Sequence, residues 1–165
     1  MDYLSDAVGE HHWTERPACA HGDCTSAALS YSRYCWAHVP DQAAYLQEIR
    51  QRATSLHGFA GFNLPQVKLQ GVAGPRTNFE GANLRGADFA GGDFTASDFR
   101  GAELEGATFR GATLPHADFT DADLSFANLR GADLSHAIFG YTTCAHADLS
   151  ETKLARARFE ETDLT

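Results

Sequence analysis

Basic side chains are in short supply in this chain of 165 residues, 13 against 22 acidic ones, leaving a formal charge of −9. Before residue 56 the count is four basic to seven acidic. Phosphate binding depends on clustered cations, so a nucleic-acid surface is disfavoured. No secretory core and no apolar run long enough to cross a bilayer occurs, so a cytoplasmic protein without a membrane partner is expected. The Gly-x-x-x-x-Gly-Lys phosphate loop is missing, and the glycines recur at intervals instead of forming one anion cradle. No nucleophile, base and carboxylate gather toward a concave site, and the chain reads as non-enzymatic. Cysteine is scarce, with four in all. Three lie between residues 19 and 35, and the fourth, Cys144, stands at a repeat centre as a small core hydrophobe. That distribution is not a disulfide framework.

What the chain has in excess is a period. Phe59, Phe79, Phe99, Phe119, Phe139 and Phe159 fall twenty residues apart and are the strongest slice of a five-residue repeat. Its centres run from Phe79, Leu84, Phe89 and Phe94 through to Phe159 and Leu164; seventeen of eighteen are Leu or Phe, with Cys144 the exception. Two residues before each centre sits a small side chain, as in Ala82, Ala87, Gly92 and Ser97, and the residue just before the centre is usually Asp or Asn. Helices repeat at about 3.6 and strands at about 2, so a strict five demands another backbone, and fixed periods mark repeat architectures. The harmonic of twenty means four repeats per turn of a coil, with one small and one large inward residue per repeat. Asp and Asn before the centre suit turns, where they hydrogen-bond nearby backbone. Stacked at a strand spacing of ~4.8 Å, eighteen repeats make a rod of roughly 22 Å. Upstream, Phe59, Leu64 and Leu69 keep the register while Gly74 stands where a large residue belongs. Residues 59–76 are therefore read as an imperfect first coil, the alternative being a loop over the coil end.

Written as Ala-Asn-Leu-Arg-Gly or Ala-Asp-Leu-Ser-His, the unit resembles the pentapeptide-repeat family, whose consensus is Ala-(Asp/Asn)-Leu-X-X, over about two thirds of the chain. The resemblance implies an all-β solenoid over residues 58–165, a right-handed quadrilateral β-helix with four pentapeptides per coil and the Phe ladder inward. It also implies one possible activity, because some members of the family mimic duplex DNA and protect DNA gyrase and other type II topoisomerases from poisons.

Residues 1–16 show no pattern and are expected to be flexible. Residues 17–40 contain Cys19-x4-Cys24-x10-Cys35-x2-His38. Two short-spaced donor pairs suit tetrahedral Zn²⁺, and three thiolates with one imidazole leave no open position, so a structural ion is predicted. His21 is the alternative fourth donor; His11 and His12 are weaker ones. The Tyr-Cys-x-x-His element resembles the compact zinc knuckles of many bacterial proteins. Residues 41–57 read as a helix with Tyr45, Leu46, Ile49, Ala53 and Leu56 on one face and Gly58 as its stop. Solenoid ends expose core side chains and strand edges and need caps, a role this helix is expected to fill. At Thr165 the pattern stops in mid-repeat with no capping helix, so either the open end pairs with a second copy as a homodimer or the chain is truncated there.

Nine of the fifteen acidic residues after residue 55 precede a repeat centre, so much of the acidity is architectural. The faces centred on Phe79 and Leu84 collect Asp98, Glu103, Glu105, Asp118, Asp121 and Asp123, interrupted by Arg85 and Arg100. The other two carry Arg110, Arg130, Lys153 and Arg156 beside Asp88, Asp93 and Asp133. A two-sided field selects and steers a partner. Phe126, Ile138 and Tyr141 are apolar at outward positions and, with Asp98, Glu103, Asp118, Asp121 and Asp123, make the candidate partner surface. His116 and His136 share an outward column, read as a solvated ladder. The expected function is a non-enzymatic scaffold presenting a rigid acidic surface to a protein partner. A gyrase-protecting DNA mimic is the alternative, and a nucleic-acid binder acting through the zinc unit is a third.

Overall fold

The computed structural model describes residues 18–26, 28–29, 35–54 and 58–165. The segment 1–16 with His11 and His12, and also Leu56, lie outside the described residues.

From residue 58 onward the chain winds into a β-helix. Each repeat contributes one bridge, at the residue before its centre, to the residue twenty places on: Asn63 to Asn83, Asn78 to Asp98, and so on to Thr143 with Asp163, all parallel. Phe79 N–H donates to Asp98 O (2.7 Å), and Asp98 N–H donates back to Thr77 O (3.0 Å). The chain turns after every bridge, which is why the period is five. Ala82 N–H donates to Phe79 O (3.0 Å), closing a four-residue turn in which Gly81 has φ +63°. A left-handed third residue is the mark of a type II turn. This left-handed corner recurs at every fifth position from Gly61 to Glu161, and glycine fills nine of the corners while other residues fill twelve. Each non-glycine residue there carries a steric cost of roughly 1–2 kcal/mol.

Four corners divide each coil into four faces, numbered here from the one centred on Phe59, Phe79 and Phe99. In front of the centres, Asp88, Asp93, Asp98, Asp118, Asp123, Asp133 and Asp148 each accept the backbone N–H two residues on, at 2.9–3.1 Å. Their acidity thus serves the turn. Inside, Phe79, Phe99, Phe119 and Phe139 stack at 4.8–5.1 Å between ring centroids, and Phe59 and Phe159 extend the stack at 5.3 and 4.7 Å. Phe89 and Phe109 meet this ladder edge-on from the opposite side, each 5.6 Å from Phe79 and Phe99 respectively. All are buried except Phe159, which is half-buried, and the later centres Leu154 and Leu164 are exposed.

The first coil explains Gly74. Residues 59–76 are a coil, not a loop, and they pair with the next coil through Asn63, Lys68 and Ala73. Helix α1, Gln42–Ala53, starts at Asp41, whose carboxylate accepts the Ala44 N–H at 2.9 Å. It buries Tyr45, Ile49 and Ala53 in the same cluster as Phe59 and Leu64. A Cβ at Gly74 would lie 2.7 Å from the Ala53 carbonyl, and Thr77 Oγ1 donates to that carbonyl (3.0 Å). The missing side chain makes room for the end of the helix. Gly58 is not the helix stop expected from the sequence: Thr54 is the C-cap, and Gly58 belongs to the rod, where a Cβ would meet Asn78 O at 2.9 Å. Arg50 Nε donates to Lys68 O (3.0 Å) and Arg52 Nε to Gly58 O (2.8 Å), so the polar edge of α1 is tied down as well. Among the described residues no helix is long and apolar enough to cross a membrane.

Candidate metal centre and outward faces

Cys19, Cys24, Cys35 and His38 converge, their donor atoms all lying within 4.8 Å of one another. A 3-10 turn, Trp36–His38, brings the last two together by returning the His38 N–H to Cys35 O (3.0 Å). Cys24 Sγ is 3.7 Å from Cys35 Sγ, and His38 Nδ1 is 3.3 Å from Cys35 Sγ and 3.5 Å from Cys19 Sγ. With Zn–S near 2.3 Å and Zn–N near 2.0–2.1 Å, the edges of a tetrahedral site are ~3.8 Å between sulfurs and ~3.6 Å from sulfur to nitrogen. The donor spacing fits a four-coordinate thiophilic cation. Cys35 N–H also donates to Cys19 Sγ (3.2 Å). Burial alone would raise the Cys19 thiol, but the Cys35 and His21 amides with the His38 and Cys35 side chains together bring it down to about 6. Cys35 moves the other way, pushed up by burial and by the neighbouring Cys24 and Cys19. Packing thiols this closely disfavours the second anion unless a cation shares the site. His21 stands outside the group, its ring stacked on that of His38 at 3.9 Å.

This unit is joined to the rod by Asn63, whose side-chain NH₂ donates to Ala28 O while its oxygen accepts Asn83 Nδ2 (2.7 Å). Neither that link nor Thr77 holding Ala53 O was foreseen from the sequence. The only available signal was a polar residue where the repeat otherwise shows small apolar ones, as at Thr77.

Outside, the upstream acids on the first two faces are already paired. Arg85 reaches Glu103 and Glu105, and Arg100 reaches Asp98 (2.7 Å) and Glu80 (3.4 Å). Burial would raise Asp98, but the Arg100 side chain and N–H hold it below the usual carboxylate range. Asp118 accepts the Thr120 amide and hydroxyl (2.9 and 2.6 Å) and Asp123 the Ser125 amide, and Asp121 sits exposed at a corner. Phe126 and Tyr141 are 60% and 59% exposed, whereas Ile138 is half-buried between Asp118 and Arg158 in the bridge ladder. His116 and His136 stack at 4.6 Å as an outward column, and Cys144 is buried with its thiol pushed up to about 11, chiefly by burial.

Fold and site together define a β-helical rod built of five-residue units with an N-terminal Cys/His cluster. The chain belongs to the pentapeptide repeat proteins: two models described as pentapeptide repeats match residues 75–118 and residues 102–140 with 143–165, together more than half of it. Membership carries with it the right-handed β-helix that the resemblance implied. No curated protein matches the sequence. Among solved structures it is similar to a pentapeptide repeat protein of the Arabidopsis thaliana thylakoid lumen (28% identity, TM-score 0.48, 62% of this chain and 68% of that one). It is also similar to one from Nostoc PCC 7120 (23%, 0.46, 68% and 94%) and to trypsin-treated QnrB1, a plasmid-mediated fluoroquinolone resistance protein (19%, 0.43, 67% and 59%).

Proposed function

We infer that the chain is a non-enzymatic interaction rod, offering a rigid acidic surface on two adjacent faces to a protein partner. Zinc held by Cys19, Cys24, Cys35 and His38 braces the N-terminal unit, and α1 caps the first coil. The supporting observation is the concentration of Asp118, Asp121 and Asp123 around one corner and its two faces, without ion-pair partners among the described residues. A ladder with stacked aromatic rings beneath them holds these groups in fixed register, so recognition costs little ordering entropy. Affinity capture with the triple Asp→Asn variant at these positions tests the reading. A partner held by the wild type should be lost from the variant at unchanged melting temperature, and equal retention would sink the assignment. Zinc should be recovered at one ion per chain and lost on Cys35→Ser.

A second reading, mimicry of duplex DNA toward a type II topoisomerase, is favoured by the columns of carboxylates in register, Asp98 with Asp118 and Glu103 with Asp123. Protection of gyrase supercoiling against a fluoroquinolone would establish it, and an unaltered inhibition curve would remove it.

A further inference from the structure

Phe126 and Tyr141 stand where the fold has no use for them. Both occupy the left-handed corner, at φ +59° and +56°, where bulky side chains are outliers. Both are mostly exposed, so neither recovers the steric cost by burial. The same corner columns show what the backbone prefers: Gly86 and Gly106 precede Phe126, and Gly81 and Gly101 precede Asp121 and Tyr141. The two columns border the second face from opposite sides. Between them the outward residues are short (Ser125, Thr143 and Ala145), so two aromatic rims flank a low floor. His146 lies against Phe126 at 5.1 Å between centroids and extends that rim.

The charge here differs from that upstream. Arg85 and Arg100 neutralise the earlier acids, whereas Asp121 and Asp123 have no cation within ion-pair distance among the described residues. Open carboxylates beside exposed rings fit one side-chain chemistry. A guanidinium stacks on aromatic faces and donates paired N–H bonds to carboxylates, while an ammonium offers only a compact charge. We propose that Phe126 and Tyr141, with Asp121 and Asp123, form a docking site for arginine side chains on a segment of a protein partner. The proposal rests on the interaction-rod reading and narrows it to one place and one chemistry.

Fluorescence anisotropy with a labelled peptide of alternating arginine and glycine, and with its lysine counterpart, tests it. Phe126→Gly with Tyr141→Gly installs the residue this corner favours, so the melting temperature should hold or rise while arginine-peptide affinity falls about tenfold. Asp121→Asn with Asp123→Asn should weaken binding in the same direction, and the lysine peptide should bind several-fold more weakly than the arginine one. Undiminished binding by the double-glycine variant, or equal binding of the two peptides, would overturn the proposal. So would sedimentation showing a dimer that the same variant dissociates, since the corner would then belong to a second copy. A lysate partner that the double-glycine variant retains would sink this site and leave the interaction rod standing.

Discussion

Phe119 is enclosed by Phe99 and Phe139 in its own column and by the edge of Phe109 at 5.9 Å. Truncation to Ala leaves a cavity that stacked backbone cannot collapse to fill, and should cost about 3–5 kcal/mol in denaturant unfolding. Ala96 makes the opposite case. At φ +56° it carries the left-handed penalty of ~1–2 kcal/mol, and Ala96→Gly relieves it. The freer unfolded chain takes back ~0.4–1 kcal/mol, so a small rise in melting temperature is expected. The turn carboxylates set the pH response. Asp133 is held low by Ser135 and Lys153, and Asp148 by the Ser150 side chain and N–H. Folded values below the unfolded one mean stability that is complete above about pH 4 and lost as pH falls through the lower folded values. The melting of the rod's β signal should be flat from neutral pH to about 5 and drop in stronger acid. Asp133→Asn, which keeps the turn acceptor but cannot titrate, should blunt that drop.

The helix and the Cys/His unit belong to a different scale, because each is marginal alone. A helix of twelve residues gains little from propensity and depends on the face it buries. Tyr45, Ile49 and Ala53 supply that face, and Gly74 supplies the seat for its last carbonyl. Gly74→Ala places a methyl 2.7 Å from Ala53 O, so α1 must shift; an overpacking cost of ~1–3 kcal/mol is expected in thermal unfolding. Chelation should release the Cys/His unit, lowering helical circular dichroism while the β signal of the rod persists. Loss of both signals together would show that the cap and the rod fold as one cooperative unit.

Along the rod, backbone bridges run from each coil to the next, so protection should vary along the axis instead of being uniform. The middle coils from Phe79 to Phe119 are laddered on both sides, whereas Asp148 and Lys153 pair with only the preceding coil and Leu154 is exposed. Within the rod, hydrogen exchange should therefore be slower in the middle coils than after Leu149. The fold read easily from sequence because the period of twenty is written in the Phe ladder itself. The Cys/His cluster also read well, since two short-spaced donor pairs constrain one another in space. Gly74 did not, because the side chain it lacks makes room for Ala53, a residue from another element.

By itself the sequence determined the coil: five residues per face and four faces per coil, large and small residues alternating inward, and Asp or Asn held at each corner by local hydrogen bonds. Only the tertiary structure decided which acids remain unpaired, that Phe126 and Tyr141 flank one face, and why the first coil has a gap. Those depend on how successive coils stack and on how the helix seats against the rod, and the repeat alone does not specify them.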